Sequence, residues 1–477
     1  MTDLVLTAIA PGWAQFLSPP SLPFTSFLAE ASADAEAGPF VLAGVLLSLI
    51  VVYLASKIGG ELCVRLDLPP VLGELVGGVV VGVSVLNLLV FPEEGAAAIA
   101  TDSRLMGFLQ ATAGVDPDIM GSVFASTSET VNVLSEIGVI LLLFEIGLES
   151  DLNELIRVGP QAAIVAVVGV VTPFLLGTGG LVYFFNLDTV PAIFAGAALT
   201  ATSIGITAKV LAEIQRLSSR EGQIIIGAAV LDDILGIVIL AVVASLAKEG
   251  TVEISNVLIL VASAAAFLIG VIVLGRLLIP YFVGLMDQLK TRGQVLILSL
   301  TLAFALAYVA DVIQLEGILG AFAAGLVLAE TKKRDELEEQ VKPVADVLVP
   351  VFFVAVGAKT NLGVLNPAVP ANREGLIIAA FLIAVAIVGK VVTGYTLFGG
   401  KEKVNKLAIG VGMIPRGEVG LVFAGVGSAS GVLPESLDAA IIVMVIATTF
   451  LAPPMLRFAF NMGGPSDAEP VAETSGG

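Results

Sequence analysis

The sequence predicts an all-α polytopic membrane protein, and three observations carry that prediction. Of its 477 residues 57% are hydrophobic and only 14% charged, against about 25% charged in a soluble domain, and the mean hydropathy is +1.01. Apolar windows long enough to cross about 30 Å of hydrocarbon recur between short polar or Gly/Pro breaks. The 51 glycines and abundant alanines supply the small-residue contacts through which membrane helices pack.

Taken in order, the windows place about 13 transmembrane helices near residues 39–57, 70–91, 130–149, 159–186, 190–213, 221–247, 254–283, 293–312, 316–330, 341–358, 374–398, 405–431 and 435–459. Residues 1–38 carry Asp3 and four prolines but no Lys or Arg. They lack the basic start of a signal peptide and read as an N-terminal extramembrane or interfacial segment. The mixed stretch 101–128 reads as a connector with an interfacial helix, and 461–477 has the composition of a disordered cytoplasmic tail. The transmembrane domain is then 39–460. Counting Lys and Arg in alternate loops puts 17 on one side and 4 on the other, with Lys390 and Arg416 inside spans making up the 23. That bias orients the N-terminus outside and the C-terminus in the cytoplasm, in a bacterial plasma membrane or an internal membrane such as a thylakoid.

Composition also excludes function classes. With no histidine and one cysteine, Cys63, neither an intramolecular disulfide nor a His/Cys metal site can form. A net charge of −19 and no basic patch exclude nucleic-acid partners, and nothing calls for a cofactor. Proton chemistry must run on carboxylates or lysine.

Two adjacent acids, Asp232 and Asp233, lie inside the apolar run 224–247. A charged Asp at the centre of a membrane helix costs roughly 2.5 to 3.5 kcal/mol, so two in succession need a functional reason. At about 100° per residue they cannot point the same way, so they have different partners. One acid can then take up and release protons while its neighbour is held ionised. A site that holds either H⁺ or a monovalent cation makes the two compete, and competition combined with alternating access is antiport.

Two spans are interrupted. The fifth contains Thr200, Thr202, Ser203 and Gly205, and the twelfth contains Gly412, Pro415, Arg416, Gly417 and Glu418. Hydroxyl-rich and Gly/Pro-rich stretches at membrane depth can unwind and offer backbone groups to an ion, while ordinary packing through small residues is the plainer account. Matching interruptions in two halves of a transporter point to its binding site. Their placement suits an inverted repeat of spans 4–6 against spans 11–13. Lys390 is centred in an apolar span and needs a carboxylate, Asp232 or Asp233. Lys359, at a span's end, is the rival partner and reads better as an interfacial anchor. Glu74, Glu136, Glu145, Arg416 and Glu418 read as structural interhelical charges, with Arg416 paired to a glutamate of span 3. The runs 213–220 and 332–339 read as solvated loops.

The motifs Leu68-Pro-Pro-Val-Leu-Gly-Glu-Leu-Val-Gly-Gly78, Leu141-Leu-Leu-Phe-Glu-Ile-Gly-Leu-Glu149, Thr200-Ala-Thr-Ser-Ile-Gly205, Leu231-Asp-Asp-Ile-Leu-Gly236, Gly317-Ile-Leu-Gly-Ala-Phe-Ala-Ala-Gly325 and Pro415-Arg-Gly-Glu418 together resemble the monovalent cation:proton antiporter-2 family. The resemblance runs from about residue 40 to 460. It implies the sodium/proton antiporter fold: a scaffold that forms a homodimer, and a core, here about 159–247 and 374–459, with two crossing unwound helices. It also implies that Asp233 carries the cation (Na⁺, or K⁺ or Li⁺) and the proton, that Asp232 pairs with Lys390, and that Thr200, Thr202 and Ser203 form the neighbouring unwound segment. Potassium-efflux members have glutamine before the aspartate and a large cytoplasmic nucleotide-binding domain. Asp232 and the short tail therefore point toward a sodium/proton exchanger. A sodium-coupled organic solute symporter is the alternative. A cation channel would need repeated filter loops, which the sequence does not show.

Overall fold

The computed structural model describes residues 24–91, 103–249, 254–367, 370–397, 404–429 and 431–462, and among them it is all helical. The helices are α1 (Phe24–Arg65), α2 (Pro70–Val81), α3 (Arg104–Ala113), α4 (Met120–Glu149), α5 (Leu152–Phe185), α6 (Thr189–Ala198), α7 (Ile204–Glu213), α8 (Arg220–Glu249), α9 (Ile254–Gln288), α10 (Gln294–Val312), α11 (Gly317–Ala329), α12 (Arg334–Lys359), α13 (Pro370–Tyr395), α14 (Lys406–Gly412), α15 (Glu418–Ala429) and α16 (Glu435–Met462). Nine of the described helices are long and apolar enough to cross a membrane, α1 from Ala37 onward among them, while α2, α6 and α11 are shorter apolar helices. All of the expected windows hold helix. Those at 190–213 and 405–431 hold two short helices each, α6 with α7 and α14 with α15.

Local chemistry sets several ends. Asp151 caps α5 by accepting from the N–H groups of Asn153 and Glu154, and Asn405 caps α14 through Ala408, each satisfying donors a helix start leaves open. Asn186 ends α5 in the left-handed region at φ 52°, a conformation asparagine tolerates.

Three sequence expectations need correction. Residues 120–128 are the first turns of α4; their hydroxyls look polar but bond to carbonyls, Ser122 to Ile119 and Ser128 to Val90. The charged stretch 334–339 begins α12, where Arg334 and Glu338 pair one turn apart at 2.7 Å. The window 70–91 is helical only to Val81, because at Gly82 the chain turns onto α12 with no room for a β-carbon beside Ala358. α1 itself begins at Phe24, and its part long and apolar enough to cross a membrane begins at Ala37. Residues 1–23 and 463–477 lie outside the described residues.

The helices approach through reciprocal glycine contacts. α1 meets α2 at Gly59 and Gly73, where a β-carbon on either would sit 2.0–2.1 Å from the other's carbonyl oxygen. α2 meets α12 at Gly78 and Gly357, and α4 meets α11 at Gly147 and Gly325, where a β-carbon on any of the four would sit 2.1–2.4 Å from a carbonyl oxygen of the facing helix. Such contacts replace the hydrophobic drive that lipid removes. A second set of contacts joins α5 to α8, α13 to α16, and α13 to both α5 and α14. This second set holds the broken helices.

Overpacking a tight site costs about 1–3 kcal/mol. Gly78→Ala, placing a methyl 2.3 Å from the Val354 carbonyl, is expected to lower the melting temperature of the purified protein. Gly270→Ala, with nothing within 4 Å, is expected to leave melting unchanged or raise it slightly.

Candidate functional site

The site grows from α8. Asp232 is fully buried and Asp233 is 3% exposed, on neighbouring directions of the same helix. Lys390, also fully buried, reaches across from α13. Its ammonium donates to Asp232 Oδ1 at 3.2 Å and Oδ2 at 3.3 Å, and to the Thr200 carbonyl at 2.7 Å. Of the two acids, Asp232 is the one that receives the lysine. Gly169 of α5 makes room for it, since a β-carbon there would lie 3.3 Å from Nζ.

The chain leaves helical geometry between Ala198 and Ile204, and again between Gly412 and Glu418. Leu199 to Ser203 hold few helical bonds. The Thr200 N–H and hydroxyl both donate to Ala197 O, at 2.9 and 2.7 Å. Pro415 has no N–H to continue its helix. The two broken segments meet and bond to each other: Ser203 N–H to Pro415 O at 2.8 Å, Thr202 Oγ1 to Met413 O at 3.1 Å, and Thr207 Oγ1 to Gly412 O at 2.9 Å. Thr202 therefore serves as a tie between the segments.

Two cations meet the exposed carbonyls of these broken ends. A helix C-terminus carries about half a negative charge on its unpaired carbonyls. Lys390 takes Thr200 O beyond α6. Arg416, fully buried, donates to Leu199 O at 2.5 Å, Met413 O at 3.2 Å and Ile414 O at 3.3 Å, joining the ends of α6 and α14. Its own carbonyl accepts from the Thr449 hydroxyl of α16. This corrects the expected pairing of Arg416 with a span 3 glutamate. Among the described residues its bonds go to main-chain oxygens, and Asp232 is within its electrostatic reach.

The other acids lie elsewhere. Glu74 accepts from Ser56 Oγ at 3.0 Å. Glu145 stands among Glu149, Lys209 and Lys342. Glu136 accepts from Asn132 at 3.0 Å, and Asn132 accepts from Lys359 at 2.6 Å, which takes Lys359 away from the diacid. The side chain of Glu418 is outside the described residues. Sequence reasoning missed Gly169, Thr449 and the carbonyl of Leu199. Of these only Gly169, small beside an expected buried lysine, left a sequence signal.

Removing one partner of a buried ion pair costs about 3–5 kcal/mol. Lys390→Ala is expected to lower the melting temperature by several degrees, and Lys359→Ala, at an exposed position, by little. The reverse order in thermal melts would mean that the Asp232 pair does not govern stability.

The family described as "Sodium/hydrogen exchanger, transmembrane" matches residues 25–461. The high-affinity Na⁺/H⁺ antiporter NhaS3 of Synechocystis is 67% identical over 93% of this chain and 95% of its own. The Na⁺/H⁺-K⁺ antiporter GerN of Bacillus cereus is 32% identical over 87% of this chain and 95% of its own. Among solved structures, the sodium proton antiporter MjNhaP1 of Methanocaldococcus jannaschii shares the fold, with a TM-score of 0.58 at 19% identity over 89% of this chain and 100% of its own. The chain belongs to the sodium/hydrogen exchanger family, as a member of the monovalent cation:proton antiporters.

Proposed function

We propose that this protein is a secondary active Na⁺/H⁺ antiporter in which cation and proton compete for Asp233 as the site is exposed to the two sides in turn. It is a transporter rather than an enzyme. The observation that carries the reading is the buried Asp232–Lys390 pair set at the junction of two broken helices. Burying two charges is tolerable only with each lone pair and proton answered, and here Lys390 answers Asp232. The adjacent Asp233, buried on its own direction of α8, is assigned as the acid that exchanges H⁺ for Na⁺, the role that the family resemblance gives it. Relatives named as Na⁺/H⁺ antiporters support sodium as the cation, and the name of GerN supports K⁺ as further cargo; Li⁺ is assigned by charge and size.

Oxygen ligands suit a hard cation. The Thr200, Thr202 and Ser203 oxygens and the carbonyls of the broken segments are the donors assigned to it beside Asp233. The moving core is assigned to about 159–247 and 374–459, two runs that each order a long helix, a broken one and a long one, in keeping with an inverted repeat. The remaining helices are assigned to a scaffold that forms a homodimer, with 13 crossings and the C-terminus cytoplasmic. On α1, Leu42, Leu46, Ile50 and Leu54 are exposed at one-turn intervals, a face suited to lipid or a second copy.

In proteoliposomes holding a pH dye, added Na⁺ is expected to drive proton counterflow without any organic solute. Asp233→Asn is expected to abolish it in a protein that melts normally, and Asp232→Asn to be milder. Wild-type flux in Asp233→Asn would remove the carrier assignment. If Lys390 stays on Asp232 through the cycle, one proton leaves per Na⁺, and flux is insensitive to an imposed membrane potential. Potential-dependent flux would show that the pair opens.

A further inference from the structure

At the end of the bundle that carries the excess of Lys and Arg, the turn between α1 and α2 is gripped from the far side by two residues of the assigned core. α2 starts at Pro70 after Pro69, which has no side chain able to cap. The open N–H of Val71 donates instead to Glu213, at 3.2 Å to Oε1 and 3.4 Å to Oε2. Glu213 is the last residue of α7, the second half of the broken helix at the site. Beside it, Arg457 of α16 donates to the carbonyl and carboxylate of Asp67, which holds the turn at φ 59°. The sequence placed Glu213 in a solvated loop, but it is partly buried against a helix start, where a carboxylate is favoured.

The two contacts are unequal. Asp67 is 91% exposed, and an exposed pair contributes little. Glu213 sits between Lys209 of its own helix, Glu74 of α2 and Cys63 of α1, and it meets the N–H of the second helical residue, one that a local cap would otherwise serve. Beside the apolar packing of Val71 in the core, this contact joins α7 to α2 through the Glu213 carboxyl and the Val71 N–H.

We propose that Glu213 is a latch. Its bond to Val71 holds α7 against the α1–α2 turn and closes this end of the bundle, and alternating access requires it to release. The proposal rests on the antiport reading for its purpose, and its test does not use transport. Cys63 is the chain's single cysteine, is 8% exposed and lies within electrostatic reach of Glu213, so its alkylation is the reporter by which release is read. Two substitutions free the latch by independent routes. Glu213→Ala removes the acceptor. Pro69→Asp leaves Glu213 intact but gives α2 its own cap for the Val71 N–H, at a backbone conformation (φ −59°, ψ 134°) open to any residue.

In the full-length protein in membranes without an ion gradient, both variants are expected to raise the rate of Cys63 alkylation by N-ethylmaleimide about tenfold, the effect of losing one hydrogen bond to a charged group. Their melting temperatures are expected to stay within a few degrees of wild type. A rise in only one variant, or in neither, overturns the latch. A rise in both, in a protein that shows no Na⁺-driven proton flux, supports the latch and removes only the antiport reading.

Discussion

The architecture depends on keeping charge inside a low-dielectric interior. Asp232 and Lys390 are both inaccessible to solvent, and ionised groups of this kind lose several kcal/mol of hydration each. Their mutual attraction is not enough alone, and the structure supplies more. Lys390 has a second acceptor in the Thr200 carbonyl, and that carbonyl is available because α6 has ended. The broken helix is thus part of how the lysine is buried. Conversely, an unwound segment at membrane depth exposes carbonyls that lipid cannot satisfy, and the two cations that meet them, Lys390 and Arg416, are part of how the break is stabilised. Neither feature stands without the other.

Arg416 makes the arrangement symmetrical. The C-terminal ends of α6 and α14 bring like partial charges together, and one guanidinium spans both through Leu199, Met413 and Ile414. Arginine fits because its planar donors reach several carbonyls at once and it stays charged. The direct bonds between the breaks, Ser203 to Pro415 and Thr202 to Met413, then fix register. A junction so bound is held in one geometry by main-chain and side-chain ties together.

Much of this was legible in the sequence because charge is conspicuous in an apolar chain. Asp232, Asp233, Lys390 and Arg416 stand out in windows where a soluble protein would hide them, and Pro415 and the hydroxyls at 200–203 announce broken helices. What was not legible were contacts made by the main chain. Arg416 was expected to seek a glutamate, yet its partners are carbonyls, which every residue carries and no sequence marks. Glu213 was hidden for a related reason: its partner is the bare N–H of Val71. Helix starts failed where polar composition mimics a loop, as at 120–128 and 334–339, since hydroxyls that bond to carbonyls and ion pairs one turn apart satisfy a helix without making it look apolar.

The placement of strong and weak contacts has a consequence for motion. The buried ion pair, the carbonyl ties and the close glycine contacts of α13 with α5 and α14 all lie within one group of helices. The contacts of α7 and α16 with α2 are sparse and polar at the turn: Glu213 to an N–H and Arg457 to Asp67. Separating tightly packed helices forfeits van der Waals contact that lipid replaces poorly, whereas a polar contact at the bundle end has water as a substitute partner. The division therefore separates a tightly tied group of helices from a more weakly tied edge. On the proposed antiport cycle, the group that surrounds Asp233 would shift as a body, because its interior cannot be wetted, and would slide at the edge where polar contacts can be exchanged for water.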